Sequence, residues 1–256
     1  MSVTVHHEIT AGPAGAPVLV LSNSLGSTHR MWDSQVAALE ERFRVVRYDT
    51  RGHGDSPVPP GPYSIDELAD DVIALLDRFD IERAHLVGLS LGGMTMMRVA
   101  ARNPERVDRL ALLCTAAYLP PAQGWTDRAA LVRADGTSAV AAAVVQRWFT
   151  PGYLAANTEA RQQFEAMVAA TPAEGYAACC EAISAMDQRS DLSSIIAPTL
   201  AIAGADDPAT PPDLLRDIVD AVPNGRLLVV PDSAHLANAE QADTITPALI
   251  EHLEQQ

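Results

Sequence analysis

Along the chain, short apolar runs bounded by turn residues alternate with longer stretches in which apolar positions recur at helical spacing. The clearest runs are residues 18–22, 43–48, 84–89, 107–114, 198–203 and 226–230. Nearly all are continuously apolar, as expected for strands of a parallel sheet covered by helices on both faces. Between them, Ser64-Ile65-Asp66-Glu67 has the form of a capping box. Leu68, Val72, Leu75, Leu76 and Phe79 then fall on one face of the helix it would start. The spacing therefore predicts an α/β protein with a mostly parallel central sheet.

The alternation stops after Cys114 and resumes at Pro198. The residues between are Ala-rich, broadly helical and contain no convincing strand. With no internal repeat and no Gly, Ser or Pro linker, this reads as a helical cap inserted into one body. The expected division is a core over residues 1–117, a cap over 118–192 and the rest of the core over 193–256.

Composition narrows the function classes. The 256 residues include 33 acidic and 18 basic side chains, a formal net charge of −15. Nucleic acid and anionic membrane surfaces are attracted by clustered Lys and Arg, so neither is an expected partner. Three cysteines, two of them the adjacent Cys179 and Cys180, suit a reducing compartment better than a disulfide framework. The amino terminus lacks a basic segment followed by an apolar run, and no 18-residue apolar stretch occurs. A soluble, cytoplasmic protein is the expectation.

One segment carries chemistry. Gly88-Leu89-Ser90-Leu91-Gly92 lies between the run at 84–89 and a helical stretch ended by Asn103-Pro104. The pentapeptide alone arises by chance in about one chain in ten of this length. Its setting, strand before and helix after, is what a nucleophile elbow requires. A Gly-rich turn packing helix on sheet is the bland alternative. A serine hydroxyl needs a base to take its proton, so an acid and then a histidine are expected downstream of Ser90. Of the seven histidines, His235 alone follows the last strand-like run, in a loop at a strand's carboxyl end where ligands meet open α/β sheets. The loop after residues 198–203 offers two neighbouring acids, Asp206 and Asp207. Oxyanion donors are expected from the backbone of Leu91, next to the serine, and of Leu25, in the loop after 18–22. The segment Asp49-Thr50-Arg51-Gly52-His53-Gly54-Asp55-Ser56 reads as a structural turn beside the site.

Together these segments resemble the α/β-hydrolase family over essentially the whole chain. The Gly-x-x-Asp spacing usual in that fold, counted from Gly204, selects Asp207 as the acid. More narrowly, Ser22-Asn23-Ser24-Leu25-Gly26-Ser27 with Met31-Trp32, Arg47 to Gly54, the elbow, Arg147-Trp148-Phe149-Thr150 and Ala205 to Pro212 are similar to the 3-oxoadipate enol-lactonases of aromatic degradation. The loop carries Asn23-Ser24 where His-Gly is common in the wider family. The resemblance implies hydrolysis of a small anionic lactone by Ser90, Asp207 and His235 without cofactor or metal. A general carboxylesterase or carbon-carbon bond hydrolase, or a noncatalytic binding protein that kept the fold, are the competing readings, with cofactor-free haloperoxidase activity as a side reaction. An acidic protein must meet such a substrate with a local cation, because a guanidinium fork matches a carboxylate. The cap offers Arg128, Arg133 and Arg147, with Trp125 and Trp148 as apolar walls.

Overall fold

The computed structural model describes residues 1–255. Seven strands form one sheet: β1 (His7–Ile9), β2 (Val18–Ser22), β3 (Arg44–Tyr48), β4 (Ala84–Leu89), β5 (Val107–Leu113), β6 (Thr199–Gly204) and β7 (Gly225–Val230). Their spatial order is β1-β3-β2-β4-β5-β6-β7, and every pairing is parallel except β1 with β3. The six strands expected from apolar runs are all present. β1 was not expected, because three residues of His-Glu-Ile at a sheet edge leave no apolar signature.

Helices α1 (Asp33–Glu40), α2 (Ile65–Arg78) and α3 (Leu91–Arg102) connect the first strands. Between β5 and β6 lie α4 (Ala122–Asp135), α5 (Ser138–Trp148), α6 (Pro151–Ala156), α7 (Thr158–Ala170) and α8 (Ala173–Ala185). Then α9 (Pro212–Ala221), α10 (Ala237–Glu240) and α11 (Ala242–Glu254) complete the chain. The capping box forms as the sequence requires. Ser64 Oγ accepts from the Glu67 amide at 3.2 Å, and Glu67 Oε2 accepts from the Ser64 amide at 3.1 Å. This satisfies two first-turn amides of α2 and lets Leu68, Val72, Leu75 and Leu76 bury. Among the described residues no helix is long and apolar enough to cross a membrane.

The order β3-β2-β4 is a topological switch. From β2 the chain moves outward to β3, then returns across β2 to β4. Loops leaving β2 and β4 at their carboxyl ends therefore diverge around a crevice, the position where open sheets bind ligands. Register places Ser22 beside Gly88, so the loop carrying Leu25 stands next to the elbow. Gly92 permits the contact: a Cβ there would lie 2.3 Å from the Ser22 carbonyl oxygen, and the Gly92 amide donates to Asn23 at 2.8 Å.

Candidate active site

Ser90 has φ +56° and ψ −118°, a backbone conformation that side chains with a Cβ seldom adopt. The strain is held by the Ser90 amide donating to the Leu113 carbonyl, the Met94 amide donating to the Ser90 carbonyl, and the Thr115 hydroxyl donating to that same carbonyl at 2.7 Å. Leu91 is the first residue of α3, so its amide is one of the first-turn donors a helix leaves unsatisfied. Leu25 lies inside a turn closed by the Ser27 amide on the Ser24 carbonyl. That turn is fastened from below by His53, whose Nε2 accepts from the Gly26 amide at 2.9 Å.

Asp207 and His235 lie in the loops that follow two adjacent strands. β6 and β7 pair with Gly204 opposite Val230. A Cβ on Gly204 would lie 2.2 Å from the Ala234 carbonyl oxygen, so this glycine lets the two loops close on each other. His235 Nδ1 then donates to Asp207 Oδ2 at 2.8 Å, with both residues buried. Asp206 points into solvent. The second Asp207 oxygen accepts from the amides of Ala209 and Thr210, and Thr210 also donates its hydroxyl to Oδ2. Burial by itself would raise the carboxyl pKa. The charge of His235 and these hydrogen bonds outweigh it and hold Asp207 down at about 2. Asp207 is therefore an anion at neutral pH. It fixes His235 with its proton on Nδ1, leaving Nε2 as the basic nitrogen.

Ser24, Leu25, Ser90 and His235 share a cavity of about 350 Å³ with residues of the helical insertion. Leu119, Val140, Val144 and Trp148 make much of its wall apolar. Arg128, Arg147 and Trp125 also line it. The Arg128 guanidinium lies 4.9 Å from the centroid of the Trp125 ring, and Arg147 donates to the Pro208 carbonyl at 3.2 Å. Arg133 does not line this cavity, which corrects the sequence expectation. It is exposed and clamped between Glu174 and Glu181 of α8. Arg128 and Arg133 are five apart on α4, so they project from different sides of the helix and only one faces the cavity. Tyr176 and Thr210 also line the cavity, and sequence reasoning missed both. Thr210 stands three residues past Asp207, which could have signalled a side chain returning to that carboxylate.

The turn at 49–56 is built as a brace. Arg51 is buried and pairs with Asp71 of α2 through Nε and Nη2 at 2.6 and 2.8 Å. Asp49 accepts from the backbone and ring of His29 and from the Asp55 amide.

A comparison with known proteins matches residues 17–242 to the family described as the alpha/beta hydrolase fold. The chain belongs to the α/β-hydrolase family. Within that family it is 41% identical over 240 residues to 3-oxoadipate enol-lactonase 2 of Acinetobacter baylyi, covering 94% of this chain and 90% of the relative. It is 39% identical to 3-oxoadipate enol-lactonase 1 of the same organism over 232 residues, 91% and 86% of the two chains. Among solved structures, the enol-lactonase of Burkholderia xenovorans LB400 superposes with a TM-score of 0.96 at 42% identity, covering 98% of this hydrolase and 96% of that chain.

Proposed function

We propose that this α/β hydrolase opens 3-oxoadipate enol-lactone to 3-oxoadipate, in the cytoplasm, as a step in degrading aromatic compounds. The observation that carries the reading is one cavity holding Ser90, His235 and the cationic Arg128, with Asp207 hydrogen-bonded behind the base, in a chain so similar to enol-lactonases.

In this mechanism Ser90 is the nucleophile, His235 the general base and Asp207 the anion that orients it. Ser90 Oγ attacks the lactone carbonyl as His235 Nε2 takes its proton. The carbonyl oxygen becomes an oxyanion, stabilised by the Leu25 and Leu91 amides. Collapse breaks the ring carbon–oxygen bond and expels an enolate, which takes the proton from His235 and tautomerises to the ketone. Water then enters and attacks the acyl carbon as His235 takes its proton, and His235 returns that proton to Ser90 Oγ as the acyl–serine bond breaks. An enolate leaves readily, so the harder demand on this protein is to hold a small anion despite its own charge of −15. Arg128, half-buried and stacked on Trp125, is assigned to the substrate's acetate carboxylate. Arg147 and Trp148, at the end of α5, close the other side. Helices α4 to α8 form the cap that brings these groups over Ser90.

The test is loss of the enol-lactone's ultraviolet absorbance on adding purified protein, run beside p-nitrophenyl acetate. Lactone turnover well above ester turnover is expected. Good ester turnover without lactone turnover would overturn the substrate and keep the hydrolase.

A further inference from the structure

His235 is tied to the helical insertion through both of its chain neighbours. The Leu236 amide donates to the Trp148 carbonyl at 2.7 Å. On the other side, the Ala234 amide donates to Glu240 Oε2 at 2.8 Å. The other oxygen of that carboxylate, Oε1, accepts from the Thr150 amide at 2.9 Å and from the Thr150 hydroxyl. One half-buried side chain at the end of α10 thus spans from the turn after α5 to the residue preceding the base.

A carboxylate accepts hydrogen bonds from neutral donors more strongly than a neutral acceptor does. The partners are far apart in the chain: Thr150 and Glu240 are separated by 90 residues. The turn held this way also continues directly from Arg147 and Trp148, which line the cavity. The Arg147-Trp148-Phe149-Thr150 segment has no other assigned part in the chemistry beyond those two walls. Its last residue and the Trp148 carbonyl are two points at which the insertion is hydrogen-bonded to the His235 loop and its helix.

We propose that Glu240 is a positioning residue that locks the His235 loop to the insertion at Thr150, so that the cavity wall and the base are set together. The proposal rests on the assignment of Ser90 and His235 made above, and its test reads those two residues independently of any lactone. The probe is an alkyl fluorophosphonate. Ser90 Oγ forms a bond to phosphorus, the phosphorus–fluorine bond breaks, and His235 takes the serine proton as fluoride leaves. The second-order labelling rate is measured for the wild-type chain, Glu240→Ala and Glu240→Gln, each shown to be folded by its thermal transition.

Misplacement of a catalytic base costs on the order of 10- to 100-fold, and that loss is expected for Glu240→Ala. Glu240→Gln keeps one oxygen for the Ala234 amide but turns an N–H₂ toward the Thr150 amide, so it should label about fivefold slower, the cost of one lost hydrogen bond. The lactone kcat should fall in the same order. A folded Glu240→Ala protein that labels at the wild-type rate overturns the proposal. Should Glu240→Ala fail to fold, wild-type labelling by the isosteric Glu240→Gln overturns it equally. An unlabelled wild-type chain would instead refute Ser90 as the nucleophile, and the proposal would fall with it.

Discussion

The Gly26 amide donates to Nε2 of His53 at 2.9 Å, which joins the loop carrying Leu25 to the brace after β3. His53 is fully buried and its Nδ1–H faces the Arg51 carbonyl at 3.3 Å. Burial drives its pKa down to about 4, opposed by the Arg51 carbonyl and Asp49, so the ring is neutral and Nε2 is free to accept. Replacement by Ala removes that acceptor while leaving the cavity residues in place. His53→Ala is expected to lower kcat for the lactone about tenfold with little change in KM, because the oxyanion loop matters most as charge develops. His53→Gln supplies an alternative acceptor and should recover part of the loss. An unchanged kcat in folded His53→Ala would mean that the Ser24–Ser27 turn holds the loop unaided.

The two acids separate cleanly by side-chain direction. Asp207→Asn should reduce kcat on the order of 10³- to 10⁴-fold, since the amide no longer fixes His235 in its working tautomer. Asp206→Asn is solvent-exposed and should change kcat by no more than about twofold. Ser90→Ala should remove turnover of lactone and ester alike while the thermal transition stays near wild type. Steady-state rates for the three variants check the assignment, and the reverse ranking of the two aspartates would reassign the acid.

Carboxylate recognition is expected to distinguish the arginines of α4, because Arg128 lines the cavity and Arg133 does not. Arg128→Ala should raise KM for the lactone on the order of 10- to 100-fold, the loss of a charged hydrogen-bonding pair. KM for the neutral p-nitrophenyl acetate should move far less. Arg133→Ala breaks ion pairs with Glu174 and Glu181 outside the cavity and should affect KM for neither substrate. Equal effects of Arg128→Ala on both substrates would make that residue part of the wall and leave the anion to Arg147.

Stability should fall on the acid side of neutrality, for a reason separate from catalysis. Burial lowers the pKa of both His53 and His252 to about 4, against about 6.5 in the unfolded chain. Between those values the unfolded state binds more protons. Each histidine therefore contributes stability that is fully present above about 6.5 and is lost as pH falls toward 4, on the order of 3 kcal/mol apiece. His29 works in the opposite sense. Its hydrogen bond to Asp49 raises its pKa, so its contribution is present below about 6.5 and fades as pH rises through the folded value. Asp207, held near 2, keeps its charge throughout this range. Urea unfolding at pH 7 and pH 5 should show a marked drop for the wild type and a smaller one for His252→Gln. An equal drop in both would remove His252 from the account.

Six of the seven strands, the α2 capping box and the elbow were legible in the chain because each is local. A buried parallel strand is an apolar run, a cap is a four-residue pattern, and a tight strand-to-helix turn demands glycines at fixed offsets from its serine. Strand order and loop position narrow seven histidines to His235, while the choice of Asp207 over Asp206 comes from the Gly-x-x-Asp spacing of the resembled family. β1 escaped because an edge strand of three mixed residues leaves no such trace. Which arginine of α4 faces the cavity also escaped, since α4 presents no strong apolar stripe to fix its rotation. So did Glu240, whose partners Thr150 and Ala234 become neighbours only when the insertion meets the loop after β7. The chain alone thus revealed the parallel strands and the elbow turn, and with them the expectation that Ser90 is a nucleophile. Tertiary packing decided which charged side chains line the cavity and what ties the His235 loop to the insertion, because those contacts join residues remote in sequence and depend on helix rotation that no local pattern encodes.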